Sequence, residues 1–209
     1  MLRRILGILL LCGAGISHAA PTLLVVGDSI SAGYGLDNGQ GWVALLGARM
    51  ARDFPRWALV NASVSGDTTA GGLARLPALL QRTRAEVVVV ELGGNDALRG
   101  LSLQRTRDNL TAMLRLAQHA GARTLLLGMR IPPNYGPQYT ARFAEIYPDV
   151  ARATHCALVP FLLEGVAQHR DLFQADGIHP DARAQAALLD NVWPRLQPLL
   201  RDAQQRGTR

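Results

Sequence analysis

The chain has 209 residues, 48% of them hydrophobic, which is enough for one full core and too few for two comfortable domains. Its formal charge of +6 rests on 22 basic residues, all arginine and scattered along the chain, and only 5% of the residues are aromatic. A nucleic-acid surface gathers its basic side chains on one stripe with aromatics for stacking, so this composition speaks against such a partner.

The first segment differs from everything after it. Arg3 and Arg4 precede an apolar run, Ile5 to Ile16, that ends in Ser17-His18-Ala19-Ala20. The positive flank, the short apolar stretch and the small residues at Ser17 and Ala19 are those of a secretory signal peptide cleaved after Ala19. The run is too short to span a bilayer, and Leu11 before Cys12 is too large for a lipid-attachment site. Residues 1–19 are therefore expected to be removed and 20–209 to form one exported domain, periplasmic or secreted, without an integral membrane span. Removal takes away two arginines and Cys12, leaving Cys156 unable to form an internal disulfide. Its neighbours Ala157-Leu158-Val159 suit a buried, inert thiol.

Five short apolar runs follow: Leu23 to Val26, Ala58 to Asn61, Val87 to Glu91, Thr124 to Met129 and Ala157 to Phe161. They are apolar at successive positions without alternation, so both faces need cover, as in a parallel sheet between helices. The segments between and after them carry apolar residues at three- and four-residue spacing: Val43 to Arg52, Ala70 to Arg82, Leu103 to Ala120, Gln138 to Thr154 and Asp181 to Arg201. Strand and helix alternate, which predicts an α/β fold, a three-layer α/β/α sandwich around a five-stranded parallel, flavodoxin-like sheet. The polar tail from Asp202 to Arg209 is expected to fray. In such folds reactive groups collect where the carboxyl ends of strands open into loops. Three polar turns are expected to converge there: Gly27-Asp28-Ser29, Ser63-Val64-Ser65-Gly66-Asp67 and Gly93-Gly94-Asn95-Asp96.

Taken singly, each of these has an ordinary explanation. Gly27-Asp28-Ser29 is turn composition, Gly66 can mark a positive φ, Asn95 an Asx turn, and Asp176-Gly177-Ile178-His179-Pro180 a capped helix start. Jointly and in this order they resemble the four sequence blocks of the SGNH (GDSL-type) hydrolases, with Ser29, Gly66, Asn95 and Asp176-x-x-His179 in the matching places. The resemblance covers essentially the whole chain after residue 19. Asn61 to Thr68, Gly72 to Leu80, Glu91 to Asp96 and Pro133-Asn134-Tyr135-Gly136 are similar to a branch of that family made up of periplasmic thioesterases, lysophospholipases and arylesterases. One departure is Ile30, where many members have leucine, a change of little volume.

The chemistry needs these residue types. A serine hydroxyl attacks only as a base takes its proton, and neutral imidazole is the common side chain poised to do so. His179 fits that place, with Asp176 three residues upstream able to hold its tautomer. His119, His155 and His169 have no comparable setting. Charge that develops on an acyl oxygen must meet donors already in place, and the resemblance nominates the N–H groups of Ser29 and Gly66 and the side-chain amide of Asn95. Asp28 is expected to bond backbone in the turn that presents Ser29, and Asp96 to cap the segment after it. No zinc-ligand cluster, P-loop or dinucleotide fingerprint is found, so no metal or organic cofactor is expected.

By resemblance, Gly93 to Leu101 and Ile131 to Tyr139 would set substrate choice. Both are short, without room for a lid, and predict an open apolar groove for acyl esters and thioesters, lysophospholipids and aryl esters, in a monomer. An acetylesterase acting on carbohydrate or other small acyl esters is the alternative on the same residues. An imidazole base also predicts that activity falls on acidification, around the histidine reference of ~6.5.

Overall fold

All five apolar runs become strands in the computed structural model, which describes residues 20–206. The expected signal peptide therefore lies outside the described residues. In chain order the elements are β1 (Thr22–Gly27), α1 (Ser29–Ala32), α2 (Trp42–Asp53), β2 (Ala58–Asn61), α3 (Thr69–Thr83), β3 (Val87–Glu91), α4 (Gly94–Leu98), α5 (Leu103–His119), β4 (Arg123–Leu127), α6 (Pro137–Thr154), β5 (Ala157–Val159) and α7 (Gln185–Arg206), with three short 3-10 turns among them.

The sheet is parallel throughout, in the order β2-β1-β3-β4-β5. The chain thus leaves β1 in one direction to form β2 and resumes on the other side of β1 with β3. At such a reversal the loops after the two strands part and leave a crevice at their carboxyl ends. The register sets Gly27 beside Glu91, so the ends of β1 and β3 are level with each other at this place.

Leu23 to Val26 and Val87 to Val90 are wholly buried. That is the outcome expected of unbroken apolar strands covered on both faces, and each such side chain contributes about 1.5–3 kcal/mol on burial. On one face α2 packs against α7, and on the other α3 packs against α5 and α5 against α6. The helix seams follow the sequence periodicity, as in α5, where Leu110, Met113, Leu114 and Ala117 are buried. The same helix starts at Ser102, whose hydroxyl accepts the Arg105 N–H at 3.3 Å.

The structure departs from the sequence expectation at three places. Ser29–Ala32 and Gly94–Leu98, expected as loop, each form one helical turn. The last helix begins later than Asp181, because the Asp181 carboxylate accepts the Arg183 N–H at 2.8 Å and sets a 3-10 turn over Ala182–Ala184 first. That helix also runs on to Arg206, so the tail expected to fray is helical as far as it is described. Ala203 is buried there and Asp202 pairs with Arg123 at 3.3 Å, contacts invisible to a polar composition.

Candidate active site

The end of β1 turns at Asp28 into α1. Asp28 Oδ1 accepts the Ile30 N–H at 3.0 Å and caps that helical turn, in agreement with the backbone role expected for Asp28. The cap places Ser29 at the first helical position, its side chain at the crevice between β1 and β3.

A second loop meets it from 150 residues further along the chain. The Ser29 hydroxyl lies 2.8 Å from His179 Nε2, and His179 Nδ1 lies 2.6 Å from Asp176 Oδ2. Asp176 Oδ1 also accepts the backbone N–H groups of Ile178 (2.9 Å) and His179 (3.0 Å), so the carboxylate is held from three directions. Burial alone would raise its pKa. The hydrogen bonds from His179 and Ile178 outweigh it and hold the carboxyl at about 2. An ionised Asp176 keeps the ring proton on Nδ1 and leaves Nε2 free to accept from Ser29.

The loop is fastened to the nucleophile side by Gln174. Its N–H bonds the His179 carbonyl at 2.8 Å and its side-chain amide bonds the Tyr34 carbonyl at 2.8 Å. The Tyr34 ring rests on the imidazole, with centroids 4.7 Å apart.

The other two turns close on the same place. The Val64 N–H bonds the Gly27 carbonyl at 3.0 Å, which brings the loop after β2 against the end of β1. Gly66 has φ +78, a left-handed conformation that glycine takes without strain, and its carbonyl accepts from Arg99 Nη2 at 2.8 Å. Among the described residues neither the Gly66 nor the Ser29 N–H is taken by another backbone carbonyl. Asn95 lies in α4 and its amide donates to Asp28 Oδ2 at 3.1 Å. One amide proton is thereby committed to Asp28 and the other remains available.

Asp96 behaves otherwise than expected. It does not cap its own segment. Its carboxylate accepts the Thr69 N–H at 2.9 Å and the Thr69 hydroxyl at 2.5 Å, and so holds the first turn of α3. Thr106 bonds it from α5 at 3.3 Å.

Besides Gln174 and Tyr34, three further residues at the site escaped sequence reasoning. Arg75 on α3 reaches back to the carbonyls of Ala62 and Gly27 (3.3 Å to the latter) while its Nε pairs with Asp67 at 2.8 Å, so one guanidinium ties the loop after β2 to the end of β1. Arg99 fixes the Gly66 peptide, and neither arginine stands out among 22. Glu91, the last residue of β3, is fully buried beneath the turn that carries Ser29. Its Oε2 accepts from the Ser31 hydroxyl at 2.7 Å and the Asp28 N–H at 3.3 Å. A signal for Glu91 existed: an acid ending an otherwise apolar buried strand has no place there unless something holds it. Burial, and then repulsion from Asp28, push its carboxyl well above the usual range. Asp28 is also raised, to about 6, because its own burial exceeds the help of its hydrogen bonds.

Around this centre large apolar side chains stand exposed on the loops: Tyr34, Val64, Leu101, Tyr135 and Ile178. Leu101 and Tyr139 also line a groove of about 660 Å³ between the first turns of α5 and α6. Among the described residues no cluster of three or more His, Cys, Asp or Glu is placed to hold a metal, and no helix is long and apolar enough to cross a membrane.

A parallel α/β sheet that sets serine, imidazole and carboxylate in one hydrogen-bonded line at its switch point has the layout of a serine hydrolase. Residues 25–187 match the GDSL-like lipase/acylhydrolase family, and the chain belongs to it. It is 57% identical to esterase TesA of Pseudomonas aeruginosa over 87% of this chain and 90% of that protein. It is 44% identical to the thioesterase 1/protease 1/lysophospholipase L1 of Escherichia coli K12, over 87% of this chain and 86% of that protein. A crystal structure of TesA superposes with a TM-score of 0.83 at 57% identity, covering 85% of this chain and 99% of the other.

Proposed function

We propose that this chain is a serine esterase and thioesterase that hydrolyses acyl esters and thioesters through an acyl-enzyme on Ser29. The observation that carries this reading is the line from Ser29 Oγ through His179 to Asp176, with separations of 2.8 and 2.6 Å. Both lie within the range in which a proton moves along the bond.

In the first half-reaction Ser29 Oγ attacks the acyl carbon and His179 Nε2 takes its proton. The imidazolium is stabilised by the ionised Asp176. Charge on the former carbonyl oxygen is met by the N–H groups of Ser29 and Gly66 and the free amide proton of Asn95. His179 then returns its proton to the departing alcohol or thiol. In the second half a water gives its proton to His179, its oxygen attacks the acyl carbon, and the acid leaves as Ser29 recovers its hydrogen.

The large apolar side chains exposed on the loops, Tyr34, Val64, Leu101, Tyr135 and Ile178, suit medium to long acyl chains, as in acyl-CoA thioesters, lysophospholipids and aryl esters. The names of the relatives, an esterase and a thioesterase/lysophospholipase, point the same way. The pattern of residues 1–19 supports export before the enzyme acts. Labelling by a fluorophosphonate tests the nucleophile: wild type reacts and Ser29→Ala does not. A panel of acyl thioesters, lysophospholipid and aryl esters across chain lengths tests the substrate class. Turnover restricted to acetyl esters of sugars would overturn it.

A further inference from the structure

The mechanism leaves one buried ionisable group unused. Glu91 is wholly enclosed, directly under the turn that carries Ser29. A Cβ built on Gly27 would lie 2.8 Å from Glu91 Oε2 and 2.7 Å from the Ser31 hydroxyl, so the strand end is glycine because this carboxyl fills the space. Oε2 holds two donors of the nucleophile turn, the Asp28 N–H and the Ser31 hydroxyl, whereas Oε1 is buried without a donor. Burial, and then repulsion from the Asp28 carboxyl, favour the protonated form of Glu91. Asp28 in turn spends Oδ1 on the Ile30 N–H and Oδ2 on the Asn95 amide. Glu91 thus holds Asp28 by its backbone N–H, and the Asp28 carboxylate holds the amide of Asn95.

We propose that Glu91 is a positioning residue for the hydrolysis: its buried carboxyl clamps the turn that carries Ser29 from below through the Asp28 N–H and the Ser31 hydroxyl and, by fixing Asp28, aims the Asn95 amide. This rests on the serine-hydrolase reading of the site, and wild-type fluorophosphonate labelling tests that reading separately.

Kinetics of Glu91→Leu and Glu91→Gln on an aryl ester, each alone and combined with Asn95→Ala, decide it. Leucine fills the volume without hydrogen bonds. Glutamine keeps, through its oxygen, the two bonds accepted from the Asp28 N–H and the Ser31 hydroxyl. Glu91→Leu is expected to lower kcat about tenfold or more with KM within about twofold, since a misaimed donor loses part of the ~10²–10³ a whole one supplies. Glu91→Gln should restore most of that loss. If Glu91 acts through Asn95, Glu91→Leu with Asn95→Ala should be within about threefold of Asn95→Ala alone. Asp28→Asn, which turns a donor against either Ile30 or Asn95, should show the same non-additivity and decides the matter if the leucine variant does not fold. Wild-type kcat in folded Glu91→Leu, a glutamine variant as impaired as leucine, or losses that multiply with Asn95→Ala would each overturn the proposal.

Discussion

Asp176 and Asp28 stand within one side chain of Ser29, and they are kept in contrasting ways. Asp176 is 37% exposed at its side chain, takes two backbone N–H groups and one imidazole N–H, and stays ionised down to about pH 2. Asp28 is 3% exposed, also accepts two N–H groups, and yet is raised to about 6. The difference lies in burial. At Asp176 the hydrogen bonds outweigh burial, whereas at Asp28 burial outweighs every hydrogen bond, that of Glu91 included. One aspartate is tuned to answer charge, the other to hold shape.

That contrast can be broken most severely at the rim. Asp176→Asn should lower kcat by about 10²–10⁴, the range seen when a triad loses its carboxylate, with a small change in melting temperature. Steady-state kinetics beside thermal denaturation checks both. Asn95→Ala should follow, with a loss of about 10²–10³ in kcat and labelling of Ser29 retained at a slower rate. Asp28→Ala should lose less activity, about tenfold, and about 1 kcal/mol of stability with the α1 cap, or roughly 2–4 °C in Tm. If Asp28→Ala hurts catalysis more than Asp176→Asn does, the division between charge and shape is wrong.

The smallest effect is the sharpest test, because the two aspartates predict pH slopes of opposite sign. Asp176 has a folded value of about 2, below its ordinary 3.8, so its stabilising contribution is present above that ordinary value and is lost as pH falls through about 2. The Tm gap between wild type and Asp176→Asn should shrink from pH 5 downward. Asp28 has a folded value of about 6, above 3.8, so the folded protein binds the extra proton between these limits and stability falls as pH rises through them. The gap between wild type and Asp28→Ala should therefore widen as pH falls from 7 to 4. Its partner Glu91, the Asn95 amide and the nearby His179 are the groups that face it.

The two aspartates also mark what was legible in the sequence. Asp176 and His179 stand three residues apart and interact within one turn, so once the joint order of the motifs and the family resemblance picked them out, their spacing agreed with the pairing. The sheet was legible for a local reason, since Leu23 to Val26 and Val87 to Val90 need cover on both faces wherever they lie. Asp28's backbone bond is local too, and was expected. Its bonds to Glu91 and Asn95 cross the sheet, and sequence separation hides them. Asp96 was misread for the same reason: its partner Thr69 lies 27 residues away, so a capping rule that looks only downstream misses it. The helical stretch beyond Asp202 depends on burial of Ala203 and an ion pair with Arg123, neither visible in a polar tail.

Ser29 and His179 meet across a separation of 150 residues. The serine lies on the first strand's exit and the imidazole on the last loop before the final helix, so every intervening strand must be in register before they touch. Closing a span of that length is among the costlier steps for a chain, and the sheet's local pairings gain nothing from it until it is complete. A partly folded form in which the two have not met holds Ser29 without an imidazole beside it, so recovery of turnover on refolding is expected to follow the last stage of folding rather than the first.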